Sequence, residues 1–264
     1  MMQQSIFKLF CCCLAAGSLM ACSKSNDAAP DTDKPQTIST AVYSIVNLAA
    51  DTLATSASDA KPLYFSLEQN KIVPESERYS TNWDICFTSI YNSSVYANNG
   101  KAKGTPGYGG PGNGGIYLVV DEAFDQSYGY DTEAYKPTVL PIPQNLFDEA
   151  FAAVKTVPVT DDQFNTKDAI SLDHFQGSLD GWGYYDFYGS LFPGNPKKSH
   201  IVYTLPRTMI IRTATGKYAK VTIKSIYKDS PENPTRDNRP GFVTFKYAIQ
   251  MDGSKNLNIT NNPS

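Results

Sequence analysis

The sequence is poor in the residues on which most protein chemistry depends. It holds two histidines, two tryptophans and five cysteines in 264 residues. Cys11, Cys12, Cys13 and Cys22 all fall near the N-terminus, so a chain processed at Cys22 keeps a single unmodified thiol, Cys86, and no intrachain disulfide can form. Cysteine-pair metal sites are excluded for the same reason. No Gly-x-Ser-x-Gly, His-Glu-x-x-His or P-loop occurs, and there is no internal repeat. The neighbouring carboxylates Asp121-Glu122, Asp148-Glu149 and Asp161-Asp162 read as solvated charges, because glycosidase pairs face each other across a cleft. An enzyme is therefore not expected. Basic clusters are also missing. With Lys8 removed alongside a leader, 22 basic residues stand against 26 acidic ones, a net charge of −4 that suits nucleic acid poorly.

The one long apolar run, from Leu9 to Met20 behind Lys8, is too short to span a bilayer and has the form of a signal peptide over residues 1–21. Leu19-Met20-Ala21-Cys22 fits the box cleaved by lipoprotein signal peptidase, which leaves an acylated Cys22 at the new N-terminus. Acyl chains each add about 0.8 kcal/mol per buried CH₂, enough for stable membrane attachment when two or more are present. Residues 22–40, rich in Ser, Asp, Pro and Lys, read as a flexible tether. Residues 41–253 have the composition of one large domain, and 254–264 read as a polar C-terminal tail.

Within the domain, β-formers recur in short runs at 42–46, 63–67, 72–73, 82–87 and 116–120, bounded by turn residues. The clearest pattern lies at 209–213, 218–227 and 242–249. Gly216 marks the hairpin between the first two runs, and the set predicts a three-stranded antiparallel meander. In its middle strand Tyr218, Lys220, Thr222 and Lys224 alternate with Ala219, Val221, Ile223 and Ser225, which predicts one wet face and one apolar face. Leu146, Phe147, Ala150, Phe151 and Val154 sit three and four apart, which predicts one helix over 144–154. The fold class is all-β and antiparallel with one short helix.

Three stretches admit more than one reading. Cys86, inside the run 82–87, is expected as a buried thiol acting as a small hydrophobe. Gly107-Tyr108-Gly109-Gly110-Pro111-Gly112 has dinucleotide-motif spacing, but Pro111 interrupts it and a strand follows where a helix would be needed. Gly181-Trp182-Gly183-Tyr184-Tyr185-Asp186-Phe187-Tyr188 concentrates aromatics that fill a core or line a pocket for a flat ligand.

Asn82-Trp83-Asp84-Ile85-Cys86-Phe87, the glycine-rich stretch running through Gly100-Lys101-Ala102-Lys103-Gly104 to Gly114-Gly115-Ile116-Tyr117, and Tyr203-Thr204-Leu205-Pro206 continuing to Val221 together resemble the HmuY family. The likeness extends to Gly241-Phe242-Val243-Thr244-Phe245 and is weakest over 128–199. It implies a lipid-anchored all-β protein of the outer membrane, exposed at the cell surface. Such a protein binds haem, takes it from host haem carriers and passes it to a TonB-dependent outer-membrane receptor in iron acquisition.

The resemblance also implies axial ligands to the haem iron. The family's histidine pair flanks the Gly-Trp motif; here His174 precedes Gly181-Trp182 more closely and His200 follows it at a greater distance. Iron in haem is held by His, Met, Cys or Tyr. The candidates are therefore His200 and His174 as metal ligands, with Met209 and Met251 as further haem-binding residues. Lys197 and Lys198 beside His200 are placed to meet haem propionates. The alternative is a carbohydrate- or peptide-binding surface lipoprotein that uses Trp182, Tyr184, Tyr185 and Tyr188 as a stacking platform. A third class, a structural or adhesion subunit, would need a partner strand at a sheet edge.

Overall fold

A computed structural model describes residues 38–54, 60–173 and 180–263. Thirteen strands are present among them, and the larger sheet is built around the predicted meander. Strands β11 (Thr208–Arg212), β12 (Tyr218–Tyr227) and β13 (Pro240–Gln250) pair in succession, antiparallel throughout. Gly216, at φ +93°, closes the first turn with its N–H on Thr213 O at 3.1 Å. β1 (Ala41–Ala49) joins β13, and β6 (Gly115–Val119) joins β11, giving the order β1-β13-β12-β11-β6. A second antiparallel sheet has the order β3-β2-β4-β5, from β2 (Leu63–Ser66), β3 (Lys71–Val73), β4 (Ile85–Thr88) and β5 (Ser94–Ala97). Two ribbons complete the set: β7 (Tyr130–Asp131) with β8 (Lys136–Pro137), and β9 (Gly183–Asp186) with β10 (Ile201–Thr204).

The two sheets meet through aromatic side chains. Phe245 of β13 lies edge-on to Phe65 of β2 at 5.3 Å and tilted against Phe87 of β4 at 5.7 Å, and Tyr247 lies edge-on to Phe65 at 6.3 Å. Each fully buried aromatic of this kind contributes about 1.5–3 kcal/mol of transfer free energy. On β13 the inward residues Val243, Phe245 and Tyr247 alternate with partly exposed ones, and then the strand becomes buried on both sides. The cause is a third layer. Helix α2 (Gln144–Ala153) packs Phe151 against Ala248 and Ile259, while Val154, Phe164 and Leu257 cover Ile210 and Tyr218.

That layer overturns the expected wet face of β12. Lys220 is 2% exposed, and its Nζ donates to Phe151 O at 2.8 Å and Val154 O at 2.7 Å. These are carbonyls at the end of α2 that lack helical partners, so a lysine from the sheet caps the helix. Burial lowers the lysine's pKa to about 8, and the nearby Lys246 pushes the same way. Thr222 is buried beside it, with its hydroxyl 3.1 Å from that of Thr208.

Other differences have equally local causes. A second helix, α1 (Glu122–Ser127), follows β6, and Asp121 caps it by accepting from Phe124 N at 3.0 Å. Residues 254–263, read as a polar tail, fold back on the domain: Leu257 and Ile259 are buried, Val157 N donates to Lys255 O, and Val42 N donates to Asn261 O at 2.8 Å. Asn261 Nδ2 reaches Thr40 O at 2.6 Å as well. Cys86 is fully buried with Tyr64, Val73 and Trp83, and burial pushes its thiol pKa far up, as expected for a packing residue. The glycine-rich stretch leads into β6 and wraps Asn98, whose Nδ2 donates to Ser80 O and Trp83 O. A Cβ at Gly112 would come within 2.4 Å of Asn98 Oδ1, so this glycine serves close packing rather than phosphate binding.

Candidate functional site

The β9–β10 ribbon carries the candidate site. Its register sets Tyr185 opposite Val202 and Asp186 opposite Ile201. Asp186 is 1% exposed, and its carboxylate accepts from Ser190 N at 2.8 Å and Leu191 N at 3.0 Å, which shapes the chain as it leaves β9. The chain returns through a 3₁₀ turn, Pro196–Lys198, to His200, which sits at φ +59° with its N–H on Asp186 O at 2.8 Å. Left-handed backbone is costly for a residue with a Cβ and persists where the surroundings fix it. Here Asp186 O fixes the backbone while Tyr185 holds the ring. Tyr185 Oη lies 2.8 Å from His200 Nδ1, and the Phe187 ring lies edge-on to the imidazole at 4.5 Å.

His200 opens onto a cavity of about 360 Å³ lined by Tyr91, Ile201, Tyr227, Thr235, Arg236 and Asn238. Its far wall is the loop 230–240, which Lys198 pins in place. This lysine is 4% exposed, and its Nζ donates to Asn233 Oδ1 and to Pro234 O at 2.7 Å; burial lowers its pKa. Arg236 N donates to Lys197 O, and Lys197 pairs with Asp237. Both lysines expected at the propionates are thus engaged in holding the loop, and the cation that lines the cavity is Arg236.

Met209 and Met251 are placed apart from this cavity. Met209, on β11, is 1% exposed in the main core and paired with Val221 and Leu118, so its sulfur is shut away from any external ligand. Met251 follows β13, half-buried against the main core, with its N–H on Thr40 Oγ1. His174 lies outside the described residues, as do Cys22 and the leader. The aromatic run divides. Trp182 is 1% exposed, with Nε1 donating to Ser93 O at 2.8 Å, and Tyr184 and Tyr185 are half-buried, whereas Phe187 and Tyr188 face solvent. The stacking platform of Trp182, Tyr184, Tyr185 and Tyr188 is therefore not formed as one surface.

One buried network had no sequence signal. Arg207 is 3% exposed; its Nη2 meets Asp125 Oδ2 at 2.6 Å, and its Nη1 meets both Asp173 Oδ1 and Gly181 O at 2.7 Å. Burial works against the guanidinium's charge, but the Asp173 and Asp125 carboxylates outweigh it and hold the arginine protonated. Tyr128 and Tyr130 donate to the same two carboxylates. The network joins α1, the residue before His174 and the start of the Gly-Trp motif. Among the described residues no group of three or more His, Cys, Asp or Glu side chains is placed to hold a metal ion.

The chain is thus an antiparallel β protein that gathers an imidazole, two tyrosines and one arginine around a single cavity. The HmuY protein family model matches residues 58–247, and the chain belongs to that family. Among curated proteins nothing matches. Two solved structures are similar at 14% identity. One is a candidate HmuY-like haem-binding protein from Bacteroides vulgatus, with 79% of this chain and 92% of that chain covered at a TM-score of 0.38. The other is a candidate lipoprotein from Bacteroides fragilis, with 78% and 89% covered at 0.36.

Proposed function

We propose that the protein binds haem as cargo in the His200 cavity, and that a lipid on Cys22 holds it at the outer membrane, where it hands haem to a TonB-dependent receptor. Family membership supports binding over catalysis and makes haem the first ligand to test. The observation that carries the reading is the Tyr185–His200 pair. Iron-ligating histidines commonly donate their second ring N–H to a fixed acceptor, which sets the tautomer and the ring orientation. With Nδ1–H donating to Tyr185 Oη, the Nε2 lone pair is left for iron, and among the described residues no group hydrogen-bonds Nε2. Burial raises the Tyr185 pKa to about 12, so at ordinary pH its hydroxyl is neutral, and a neutral hydroxyl oxygen can accept the Nδ1–H. Phe187, 45% exposed and edge-on to the imidazole, offers an apolar face that a flat macrocycle would cover, with Tyr188 against its ring at 4.8 Å. Haem would supply the iron; the chain supplies the nitrogen, the ring faces and the cation.

Hemin titration followed at the Soret band tests the site. His200→Ala will weaken affinity by roughly ten- to a hundredfold and displace the band, a loss of about 1.4 kcal/mol per decade. Tyr185→Phe frees the tautomer and will weaken affinity about tenfold, at the lower end for an outer-shell partner. Adding His174→Ala to His200→Ala will remove most of the remaining binding. An unchanged spectrum and affinity in the double variant would exclude the histidines. Anchoring is tested separately: Cys22→Ser will leave the precursor uncleaved and without label from a radioactive fatty acid, and normal acylation in that variant would end the lipoprotein reading.

A further inference from the structure

The His200 cavity has a polar end as well as an aromatic one. Arg236 lines it and makes no ion pair among the described residues; its guanidinium has only a long contact, Nη1 to Ser199 Oγ at 3.5 Å. The neighbouring acid, Asp237, is taken up by Lys197. Asn238 lines the same cavity, and its Oδ1 accepts from Thr235 N at 2.8 Å and Thr235 Oγ1 at 3.3 Å. A backbone donor on Oδ1 settles which way the amide points and leaves the Nδ2 hydrogens without an acceptor among the described residues. The loop that carries both side chains is fixed to the body of the protein through Lys198 and through Arg236 N on Lys197 O. Burial raises the Tyr185 pKa, and the charge of Arg236 pulls it the other way, so the guanidinium lies within electrostatic reach of the Tyr185–His200 pair.

An unpaired guanidinium and a free amide N–H₂ on a fixed loop form a donor set for a planar anion, and an arginine fork matches a carboxylate with two parallel bonds. We infer that Arg236, together with the Asn238 amide, is the carboxylate anchor of the His200 cavity and selects porphyrins that carry free propionates. This inference rests on the haem reading above and adds the part of the ligand that the loop recognises.

The test compares hemin with its dimethyl ester, each titrated into wild type, Arg236→Gln and Arg236→Lys and followed at the Soret band. Wild type is expected to bind hemin about tenfold more tightly than the ester, the scale of one charge-assisted pair at about 1.4 kcal/mol. Arg236→Gln will lose that factor on hemin, leave the ester unchanged and keep the wild-type band position, because the iron ligand is untouched. Arg236→Lys keeps the charge but not the fork and will fall between the two. Thermal melts of the variants check the fold, and the exposed position of Arg236 leaves it intact. If wild type binds hemin and Arg236→Gln shows the same affinities and the same hemin-to-ester ratio, the anchor is overturned while the haem reading stands. If wild type gives no Soret change with either porphyrin, both fall together.

Discussion

Arg207→Met will lower the unfolding free energy by about 3–5 kcal/mol, the range for breaking a buried ion pair from one side. The side chains of Asp125 and Asp173 are 2% and 0% exposed, so without the guanidinium two buried carboxylates lose their cation while shielded from solvent. Asp173, whose carboxyl pKa burial already raises, can meet this by taking up a proton, so the loss will be largest above neutrality and will shrink as the pH falls toward 5. Replacing all three partners with apolar residues of similar volume will recover much of the stability, because the damage comes from uncompensated charge rather than lost volume. Urea denaturation at pH 8 and pH 5 measures this. A loss under about 1 kcal/mol at pH 8 would mean that the network is dispensable. The functional consequence follows from position: Asp173 and Gly181 bracket the segment that holds His174, so the variant will also weaken hemin binding without touching His200.

Asp84 will take stability away from the wild type as pH rises from about 4 to 7. This carboxyl is 1% exposed, and burial raises its pKa to about 7, with the charge of Glu68 acting in the same direction. Its Oδ1 accepts from Ala214 N at 3.0 Å and its Oδ2 from Glu68 N at 3.1 Å, so it ties the smaller sheet to the β11–β12 turn. Between the unfolded value of 3.8 and the folded value of about 7, the native protein holds a proton that the unfolded chain has released. Rising pH therefore draws molecules toward the unfolded state, and the cost is complete above 7. At about 1.4 kcal/mol per pKa unit it reaches up to about 4 kcal/mol. Asp84→Asn cannot ionise and will flatten this slope, being less stable than wild type at pH 5, where one of its amide hydrogens meets Glu68 N, and gaining on it by pH 8. If the two proteins show parallel profiles across that window, Asp84 is not the titrating group.

Period-2 patterning made the meander legible, because Val243, Phe245 and Tyr247 must share a face and Gly216 must turn the chain. The same pattern misled at Lys220. Alternation distinguishes two faces, but it does not reveal that a helix from residues 144–153 and residues 255–259 will cover the polar one, and a lysine that caps a helix reads as a solvated lysine. Helix α1 was missed because six residues are less than two turns; the Asp121 cap, three residues before Phe124, was the available signal. The Tyr185–His200 pair was within reach of the sequence. Pairing 183–186 with 201–204 as a hairpin puts Tyr185 one residue from the strand end and His200 just beyond it. Arg207 lies 82 residues from Asp125 and 34 from Asp173 along the chain, and no periodicity connects them.

The closure of the chain on itself at Asn261 has a mechanical meaning. Val42 N donates to Asn261 O, Asn261 Nδ2 to Thr40 O, and Met251 N to Thr40 Oγ1, so the residues entering the domain are held by those leaving it. Tension between the two ends would load these bonds one after another, as a zipper is opened, rather than all together along a sheared pair of strands. The long β12–β13 ladder lies outside that force path and would carry load only after the ends had parted.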